Sequence, residues 1–502
     1  MKYIFNSDKP FQTPDPLGNN LFFLLGLCLL VLPIWVVSYP PMVDIPQHMA
    51  QINTLKHFWS GDEYFRRIYQ LNWFTPYLVG YLSIYLLSLF LPLLISLKLL
   101  LSLSLIGLAL VVRRLFQVVE IDPSVVWLTF PAAIGYSFYF GFLNFFVTTP
   151  IAIYFIICGI EFEKFPTFRK TLALVLLSML LFFCHVLALA YSLLILGAVV
   201  LVKNHRNIRL LFLKLLPLTF SMLLGTVWLL ITHHGESQAS NSVIVYDITF
   251  RRVLVLLQTI SGSDLPAPMW IISAVVLLYP PLSGARLTRK TWRWVPLAVS
   301  LVVFSIIPMN VFGTGFVYPR FGQFVGIFWL LIWDYKSVSS KYLRWVVFIC
   351  IIGWFGFNTT RFWLFEQEND DFKTVLSHME PNKRTLSLMA DNRTPYFNFP
   401  MYLHYGAWYQ AENRGIVDFS FSMFFPLMLR YKKDSAPKIY PGFEWNPIFF
   451  DWKQDNGSNY YYFLVRAPVN IGRQVFKGYM HKVRLKANIG NWWLYENAGN
   501  IQ

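Results

Sequence analysis

Long apolar runs separated by short polar loops occupy the first 360 residues of the chain. A bilayer core about 30 Å thick needs roughly 20 apolar residues per helix, so each run predicts a membrane-spanning helix. We predict about eleven or twelve of these helices, because Leu172–Val202 is long enough for two short ones. The runs are Leu21–Ser38, Trp73–Leu94, Leu97–Val112, Val125–Phe140, Phe142–Ile160, Leu172–Val202, Leu211–Ile231, Met269–Tyr279, Val295–Phe312, Phe324–Trp333 and Trp345–Phe357.

The pattern changes after Asn358 to a polar tail rich in charged residues, Pro, Asn and Tyr. Short β-rich runs at Tyr460–Arg466 and Trp492–Tyr495 predict strands, and Met401–Asn413 predicts a helix. We therefore predict an α-helical transmembrane domain over residues 1–360, with a first loop at residues 39–72. A small α/β domain is expected over residues 361–502.

Composition supports a polytopic membrane protein, since 56% of the residues are hydrophobic and 14% are charged. Soluble proteins carry about 25% charged residues. The net charge of +16, from 42 Lys+Arg against 26 Asp+Glu, suits basic loops on the cytoplasmic side of a membrane. Nucleic acid is therefore not an expected partner. The four cysteines lie in apolar runs, so no disulfide framework is predicted.

Basic residues cluster in alternate loops, and short loops with Lys and Arg stay on the cytoplasmic side. This assignment places the first loop and the tail together on the external side. The clusters are Arg113–Arg114, Lys164–Lys170, Lys203–Lys214, Arg286–Arg293 and Lys336–Arg344.

The segment after the first predicted helix, Asp44-Ile-Pro-Gln-His-Met-Ala-Gln51, holds the most informative polar residues. Apolar residues recur at spacings of three and four as far as Trp59, which predicts an amphipathic helix lying on the membrane surface. Asp44 and His48 are four residues apart at its start. Such a pair can share proton transfer or a metal ion. Alternatively, Asp44 is only the helix N-cap and His48 an interfacial polar residue.

This plan of a first helix, an external loop that opens with an acidic residue, many further helices and an external tail resembles the GT-C superfamily of membrane glycosyltransferases. The Asp44–Ala50 segment is also similar to an Asp-x-Pro-Asn/Gln-His-x-Ala motif of bacterial multi-pass proteins. The resemblance implies that Asp44 acts as the base, or orients the acceptor, while a sugar leaves a polyprenyl-phosphate donor. Only Asp44 matches residue by residue. It further implies a bacterial inner-membrane location and a lipid-linked sugar as partner.

Other residues are candidates for binding the substrate. Arg320, expected at the external end of a helix, suits a lipid phosphate because a guanidinium can donate two parallel hydrogen bonds to phosphate oxygens. An interfacial arginine whose charged end reaches the membrane surface is an equally good interpretation. His185 interrupts an apolar run where polar groups are often functional, or it is a hydrogen-bonded structural residue. Gln47 lies on the polar face of the first-loop helix. The predicted catalytic residues are therefore Asp44 and His48, with Arg320, His185 and Gln47 as binding residues.

His233 and His234 open another loop, for which a solvated loop is favoured over a metal site because the spacing matches no metal motif. No metal-ligand set is predicted, and a divalent cation cofactor is left open. The chain also lacks a glycine-rich phosphate loop, a dinucleotide fingerprint and a nucleophile elbow.

The sequence is compatible with three functions. The first is a glycosyltransferase that moves a sugar from polyprenyl phosphate to an envelope glycan, lipid or protein at the outer face. The second is a transporter or flippase, for which Lys98 and His185 are the candidate buried polar groups. The third is a non-catalytic assembly protein for envelope polysaccharide, which needs none of the candidate residues.

Overall fold

The computed structural model describes residues 15–235, 244–247, 249–311, 314–335, 340–424, 426–437 and 441–500. Most of the described residues are helical. The α-helices are α1 (Asn20–Trp35), α2 (Ile45–Trp59), α3 (Glu63–Ile68), α4 (Val79–Leu87), α5 (Leu93–Val118), α6 (Phe130–Ala133), α7 (Tyr136–Tyr139), α8 (Leu143–Lys164), α9 (Phe168–Cys184), α10 (Val186–Asn204), α11 (Ile208–Gly235), α12 (Arg251–Ser261), α13 (Pro266–Leu282), α14 (Val295–Ile306), α15 (Gly322–Trp329), α16 (Lys341–Ser377), α17 (Ala407–Asn413) and α18 (Gly472–Val475).

Five helices in the described part of the chain, α5, α8, α10, α11 and α16, are long and apolar enough to cross a membrane. A sixth span results if α12 and α13, which meet at a 72° bend, count as one. Two shorter apolar helices are Asn20–Trp35 and Thr291–Ile306. Long apolar helices are thus typical of this fold, as a polytopic protein requires, but they are fewer than the eleven or twelve predicted.

Some of the missing spans, α1, α9 and α14, are regular helices of only 16, 17 and 12 residues. The others are apolar segments in which the backbone leaves the helical conformation. Val125–Phe140 forms a 3₁₀ turn and two four-residue helices, because Pro131 and Gly135 interrupt regular helix. Trp73–Leu94 contains the nine-residue α4 and the first two residues of α5, and Phe324–Trp333 contains the last six residues of the eight-residue α15. The predicted division of Leu172–Val202 is confirmed, since α9 and α10 meet at His185, whose backbone is extended.

The strands are β1 (Tyr69–Leu71), β2 (Arg286–Leu287), β3 (Trp333–Asp334), β4 (Arg384–Met389), β5 (Ile416–Val417), β6 (Leu429–Tyr431), β7 (Tyr462–Arg466), β8 (Val483–Ile489) and β9 (Trp492–Asn497). Five of them form a mixed sheet of order β5-β4-β7-β9-β8 in the tail. The predicted strands near Tyr460–Arg466 and Trp492–Tyr495 are its centre. The predicted Met401–Asn413 helix begins later, at Ala407, after Gly406.

The tail is tied closely to the helical body. Helix α16 passes without a break through position 360 and packs on β8 and β9, where Phe372 lies 4.8 Å from Trp492, centroid to centroid. Because side chains alternate across a strand, one sheet face joins the core of the helical body and the other face builds a second apolar cluster. In the first loop, β1 pairs antiparallel with β6 of the tail.

Helix α2 has the predicted bounds but not the predicted surroundings. Its polar face is covered by the tail, because α17 packs along it and α4 packs on another side. The Asn53 amide donates to the Gln410 carbonyl at 2.9 Å, and the Gln410 amide donates to Thr54 Oγ1 at 3.0 Å. The helix is therefore buried between two layers of protein. The expectation of a polar face turned to water is wrong, and the position of α2 at the membrane surface stays a prediction.

The two ends of the helical body differ in chemistry. The loops with basic clusters meet at one end, joined by the ion pairs Arg114–Glu161, Lys290–Glu120 and Arg344–Asp122. At the other end the chain leaves α1 and meets the tail, where the Ser38 backbone N–H donates to Glu366 at 2.6 Å. The first loop and the tail thus lie together at the end opposite the basic clusters.

Candidate functional site

Backbone hydrogen bonds fix Asp44 at the start of α2. The N–H groups of Val43 and Asp44 donate to the carbonyls of Tyr139 and Phe140 at 2.9 and 3.0 Å. The following Gly141 has φ +81°, and a Cβ there would lie 2.7 Å from the Asp44 nitrogen. Glycine is needed at this position both for its conformation and for the close approach.

Asp44 occupies the N-cap position of α2 but does not cap the helix. Its backbone is already helical, with φ −87° and ψ −11°, and its carboxylate makes no hydrogen bond to the first turn. A residue whose side chain caps a helix typically has an extended backbone. The view of Asp44 as only an N-cap therefore loses its structural basis, and the carboxylate is available for other contacts.

The imidazole that faces Asp44 comes from the tail. His404 Nε2 lies 3.7 Å from Asp44 Oδ1, and His404 Nδ1 lies 2.6 Å from Glu444 Oε2. The Asp44 side chain is 15% exposed, whereas those of His404 and Glu444 are 7% and 2% exposed. A buried chain of carboxylate, imidazole and carboxylate thus ends at Asp44, its most accessible member.

Burial is the largest influence on the pKa values of Asp44, His404 and Glu444. It raises the pKa of Asp44 to about 6, while the positive charges of His404 and Arg320 act in the opposite direction. Burial also disfavours the charged form of His404, but the carboxylates of Glu444 and Asp44 outweigh it and raise the pKa of His404. The pKa of Glu444 is raised by its burial. A carboxyl group whose pKa lies near neutrality is suited to accepting a proton.

Arg320 supplies the positive charge of the site. Its Nε and NH2 groups donate to the carbonyls of Phe316 and Gly315, both at 3.2 Å, and its guanidinium lies 3.6 Å from the centroid of the Phe142 ring. Phe316 has φ +55°, a conformation that costs about 1–3 kcal/mol in a side-chain-bearing residue and is often found at functional sites. Among the described residues, no carboxylate lies within ion-pair distance of this arginine.

His48 points to a different partner from the one expected. Its Nδ1 lies 2.6 Å from the Tyr81 hydroxyl, and burial lowers the pKa of His48 to about 3, against the effect of a hydrogen bond with the Gly141 backbone. His48 is therefore neutral near pH 7. The described side-chain contacts of Asp44 include His404 and not His48. We therefore assign His48 a structural role, in which it positions Tyr81 and the start of α2.

His185 also lies in this neighbourhood. Its ring centroid is 5.0 Å from that of Tyr77 and 5.1 Å from that of Phe145. The Phe145 ring is in turn 6.0 Å from the Arg320 guanidinium. The prediction that Arg320 and His185 belong to one site with Asp44 is thus consistent with the positions of these side chains.

Gln47 faces the tail. Its amide nitrogen donates to the Phe419 carbonyl at 3.0 Å, and its amide oxygen accepts from the Phe421 N–H at 3.1 Å. The Phe419 ring stacks on His404, with centroids 5.4 Å apart. Gln47 therefore holds the tail segment that supports His404, rather than presenting a free amide to a substrate.

Sequence reasoning missed His404, Glu444 and Tyr81 of α4. The two tail residues are separated from each other by 40 positions and from Asp44 by several hundred, so no spacing indicates their contact. The only signal was a helix prediction that included His404.

No group of three His, Cys, Asp or Glu side chains in the described part of the chain is arranged to hold a metal ion. The side chains of His233 and His234, which were candidates for one, lie outside the part that is described.

No family model matches the chain, and no match is found among curated proteins.

Proposed function

We propose that the chain is a membrane glycosyltransferase that transfers a sugar from a polyprenyl-phosphate donor to an envelope glycan, lipid or protein acceptor at the outer face of the bacterial inner membrane. The observation that carries this proposal is the convergence of Asp44, His404 and Arg320. They provide a proton acceptor and a cation at one place, where the helical body meets the tail. The resemblance to the GT-C plan supports the same reaction.

In the proposed reaction the Asp44 carboxylate accepts the proton of an acceptor hydroxyl. The acceptor oxygen forms a bond to the anomeric carbon as the bond from that carbon to the donor phosphate oxygen breaks. The bonding electrons leave with the lipid phosphate, whose negative charge Arg320 stabilises. His404 stabilises the ionised form of Asp44 before the transfer, and Glu444 orients His404.

The position of Arg320 is favourable for a phosphate. Its charge is held by carbonyl groups and an aromatic face, so it is not neutralised by a protein carboxylate within the described residues. Phe142, on which it lies, directly precedes the first turn of α8. The amino-terminal end of a helix adds a partial positive charge, and the two effects reinforce each other toward an anion.

The alternative of a transporter draws no support from Lys98. Its ammonium donates to the Val37 carbonyl at 2.5 Å, at the level where α1 has ended at Trp35. This position lies near the end of a helix rather than at the middle of the helical body. Lysine at such a level is common in membrane proteins, because the side chain reaches the interface.

Binding of a short-chain polyprenyl phosphate to the full-length protein in nanodiscs tests the proposal. We expect Arg320→Gln to weaken binding by about 10- to 100-fold, the value of a hydrogen bond to a charged group, and Arg320→Lys to recover part of it. The matched control is Arg113→Gln, since Arg113 is half-buried at the other end of the helical body, where it donates to Asn20 and lies 4.4 Å from the Phe23 ring centroid. Failure of the wild-type protein to bind, or equal binding by Arg320→Gln, contradicts the proposal.

A further inference from the structure

Two buried side chains beside the candidate site have polar atoms without a partner. Both carboxamide atoms of Asn144 and the Nε2 atom of His185 lack a hydrogen bond to any described residue. Asn144 is 3% exposed and His185 is fully buried. Buried polar groups are nearly always paired, and leaving one unpaired destabilises a fold. Because these two lie next to a candidate active site, they are candidates for hydrogen bonds to a ligand.

Both side chains lie beside residues 77–80, at the start of α4. The His185 ring contacts the Tyr77 ring, and three residues later Gly80 faces Asn144, whose Oδ1 atom would overlap a Cβ at that position. On the other side, Phe145 follows Asn144 in α8 and contacts the His185 ring. The absence of a side chain at Gly80 thus makes room for the Asn144 carboxamide.

The hydrogen-bonding capacity of the pair defines the ligand. His185 Nδ1 accepts the Leu187 N–H at 3.2 Å, so in the neutral imidazole Nε2 carries the proton and is a donor. The Asn144 carboxamide offers two N–H donors and one carbonyl acceptor. Hydroxyl groups both accept and donate, so the hydroxyls of one ligand can accept from His185 Nε2 and from the Asn144 amide and can donate to Asn144 Oδ1. A phosphate only accepts and would leave Asn144 Oδ1 unpaired.

We propose that Asn144 and His185 form the subsite that binds hydroxyl groups on the sugar ring of the donor. The inference rests on the proposed function, because it places the sugar next to the phosphate held by Arg320. Phe145 connects the two places, since its ring contacts both His185 and the Arg320 guanidinium. The rings of Tyr77 and Phe145 provide apolar faces of the kind that pack against a sugar.

The test compares two probes on the full-length protein in nanodiscs. One is a short-chain polyprenyl phosphate, and the other is the same lipid phosphate carrying glucose, galactose, mannose or arabinose. We expect at least one sugar to tighten binding of the wild-type protein about tenfold, the value of two hydrogen bonds between neutral groups. Asn144→Leu and His185→Phe should lose this increment, measured against the binding of the bare lipid phosphate by the same variant.

A stability measurement separates a ligand site from a structural role. Thr149 is the matched control on α8, because its buried hydroxyl donates to the Phe145 carbonyl at 3.1 Å and accepts from Gln323 at 3.0 Å. Thr149→Val should lower the Tm and leave the sugar increment unchanged. Asn144→Leu should keep or raise the Tm, since it removes an unpaired amide.

The outcomes distinguish the two proposals. No binding of the bare lipid phosphate overturns the proposed function and the subsite with it. Binding of the lipid phosphate with no increment from any of the four sugars, or with the increment intact in Asn144→Leu, overturns the subsite alone. A Tm of Asn144→Leu that falls as far as that of Thr149→Val also overturns it, because the carboxamide would then be paired within the fold.

Discussion

Two buried carboxylates, at opposite ends of the helical body, have contrasting surroundings. Glu163 lies near the end of α8 among the basic loops. Its carboxylate contacts the ammonium groups of Lys203 and Lys214, the latter at 2.8 Å, and accepts from the Asn204 amide at 3.3 Å. Lys214 also donates to Asn204 Oδ1 at 3.1 Å. Each charged group in this cluster therefore has a partner of opposite charge or an amide dipole.

Asp44 has no ammonium or guanidinium partner at contact distance among the described residues, and its nearest cationic group is His404 at 3.7 Å. Its pKa is accordingly raised to about 6 by burial. A buried carboxylate surrounded by cations contributes to the structure, whereas one that is left incompletely paired retains the ability to take up a proton. We infer that Glu163 stabilises the fold, whereas the proposed function uses Asp44 as its proton acceptor.

Removing the Glu163 charge should produce the largest loss of stability. Glu163→Gln leaves the ammonium groups of Lys203 and the buried Lys214 with a neutral partner, and breaking a buried ion pair typically costs about 3–5 kcal/mol. Thermal unfolding of the purified protein measures this loss. Equal stability of Glu163→Gln and the wild type would show that Glu163 does not stabilise the fold.

Replacing Asp44 should instead raise stability at high pH. The raised pKa means that folding favours the protonated carboxyl, so its stabilising contribution is present at low pH and is lost as the pH rises through about 6. Asp44→Asn, which is always neutral, should be more stable than the wild type near pH 8, by on the order of 3 kcal/mol.

The same pair of proteins should be equally stable near pH 4, where Asp44 is protonated. The two Tm values at each pH measure the effect. A variant that is less stable than the wild type at both pH values contradicts the assignment of Asp44 as an underpaired charge.

Removing His404 should shift the pH dependence of transfer. His404→Gln takes away the nearest cationic group, so the pKa of Asp44 should rise further above about 6. Loss of a nearby opposite charge typically moves a carboxyl pKa by about one unit or more. We expect the pH of half-maximal turnover to move upward by about one unit, with turnover recovered at higher pH. An unchanged pH profile of turnover would show that His404 does not affect the pKa of Asp44.

Gln47→Leu should have the smallest effect. It removes two hydrogen bonds to the Phe419 and Phe421 backbone, each worth about 1 kcal/mol. We expect faster amide hydrogen exchange at residues 419–421, measured by mass spectrometry, and little change in the global Tm. The control is Asn53→Ala, which removes a single hydrogen bond from α2 to α17 and should leave the exchange of that segment unchanged. Equal exchange in Gln47→Leu and the wild type would show that Gln47 does not hold this segment.

Part of this site could be predicted from the sequence. The position of Asp44 at the start of α2 and the inclusion of Arg320 and His185 followed from local patterns, since polar residues stand out against apolar runs. The partner of Asp44 could not be predicted, because His404 and Glu444 reach it only through the docking of the tail.

The same limit applies to the fold. Hydrophobicity located the apolar segments, but it does not show where Pro131 and Gly135 break a helix, and it does not show that the tail covers the polar face of α2. Burial by a distant part of the chain leaves no periodic signal. The polar face of the predicted amphipathic helix is for this reason covered by the tail.

Turnover by Asp44→Asn and Glu163→Gln, measured side by side, tests the central claim most directly. The assay follows release of polyprenyl phosphate from a radiolabelled polyprenyl-phosphate sugar in proteoliposomes supplied with a bacterial envelope extract as acceptor. We predict that Asp44→Asn folds and loses about 100- to 10,000-fold in rate, while folded Glu163→Gln keeps the wild-type rate. Near-normal turnover by a folded Asp44→Asn protein would contradict the account.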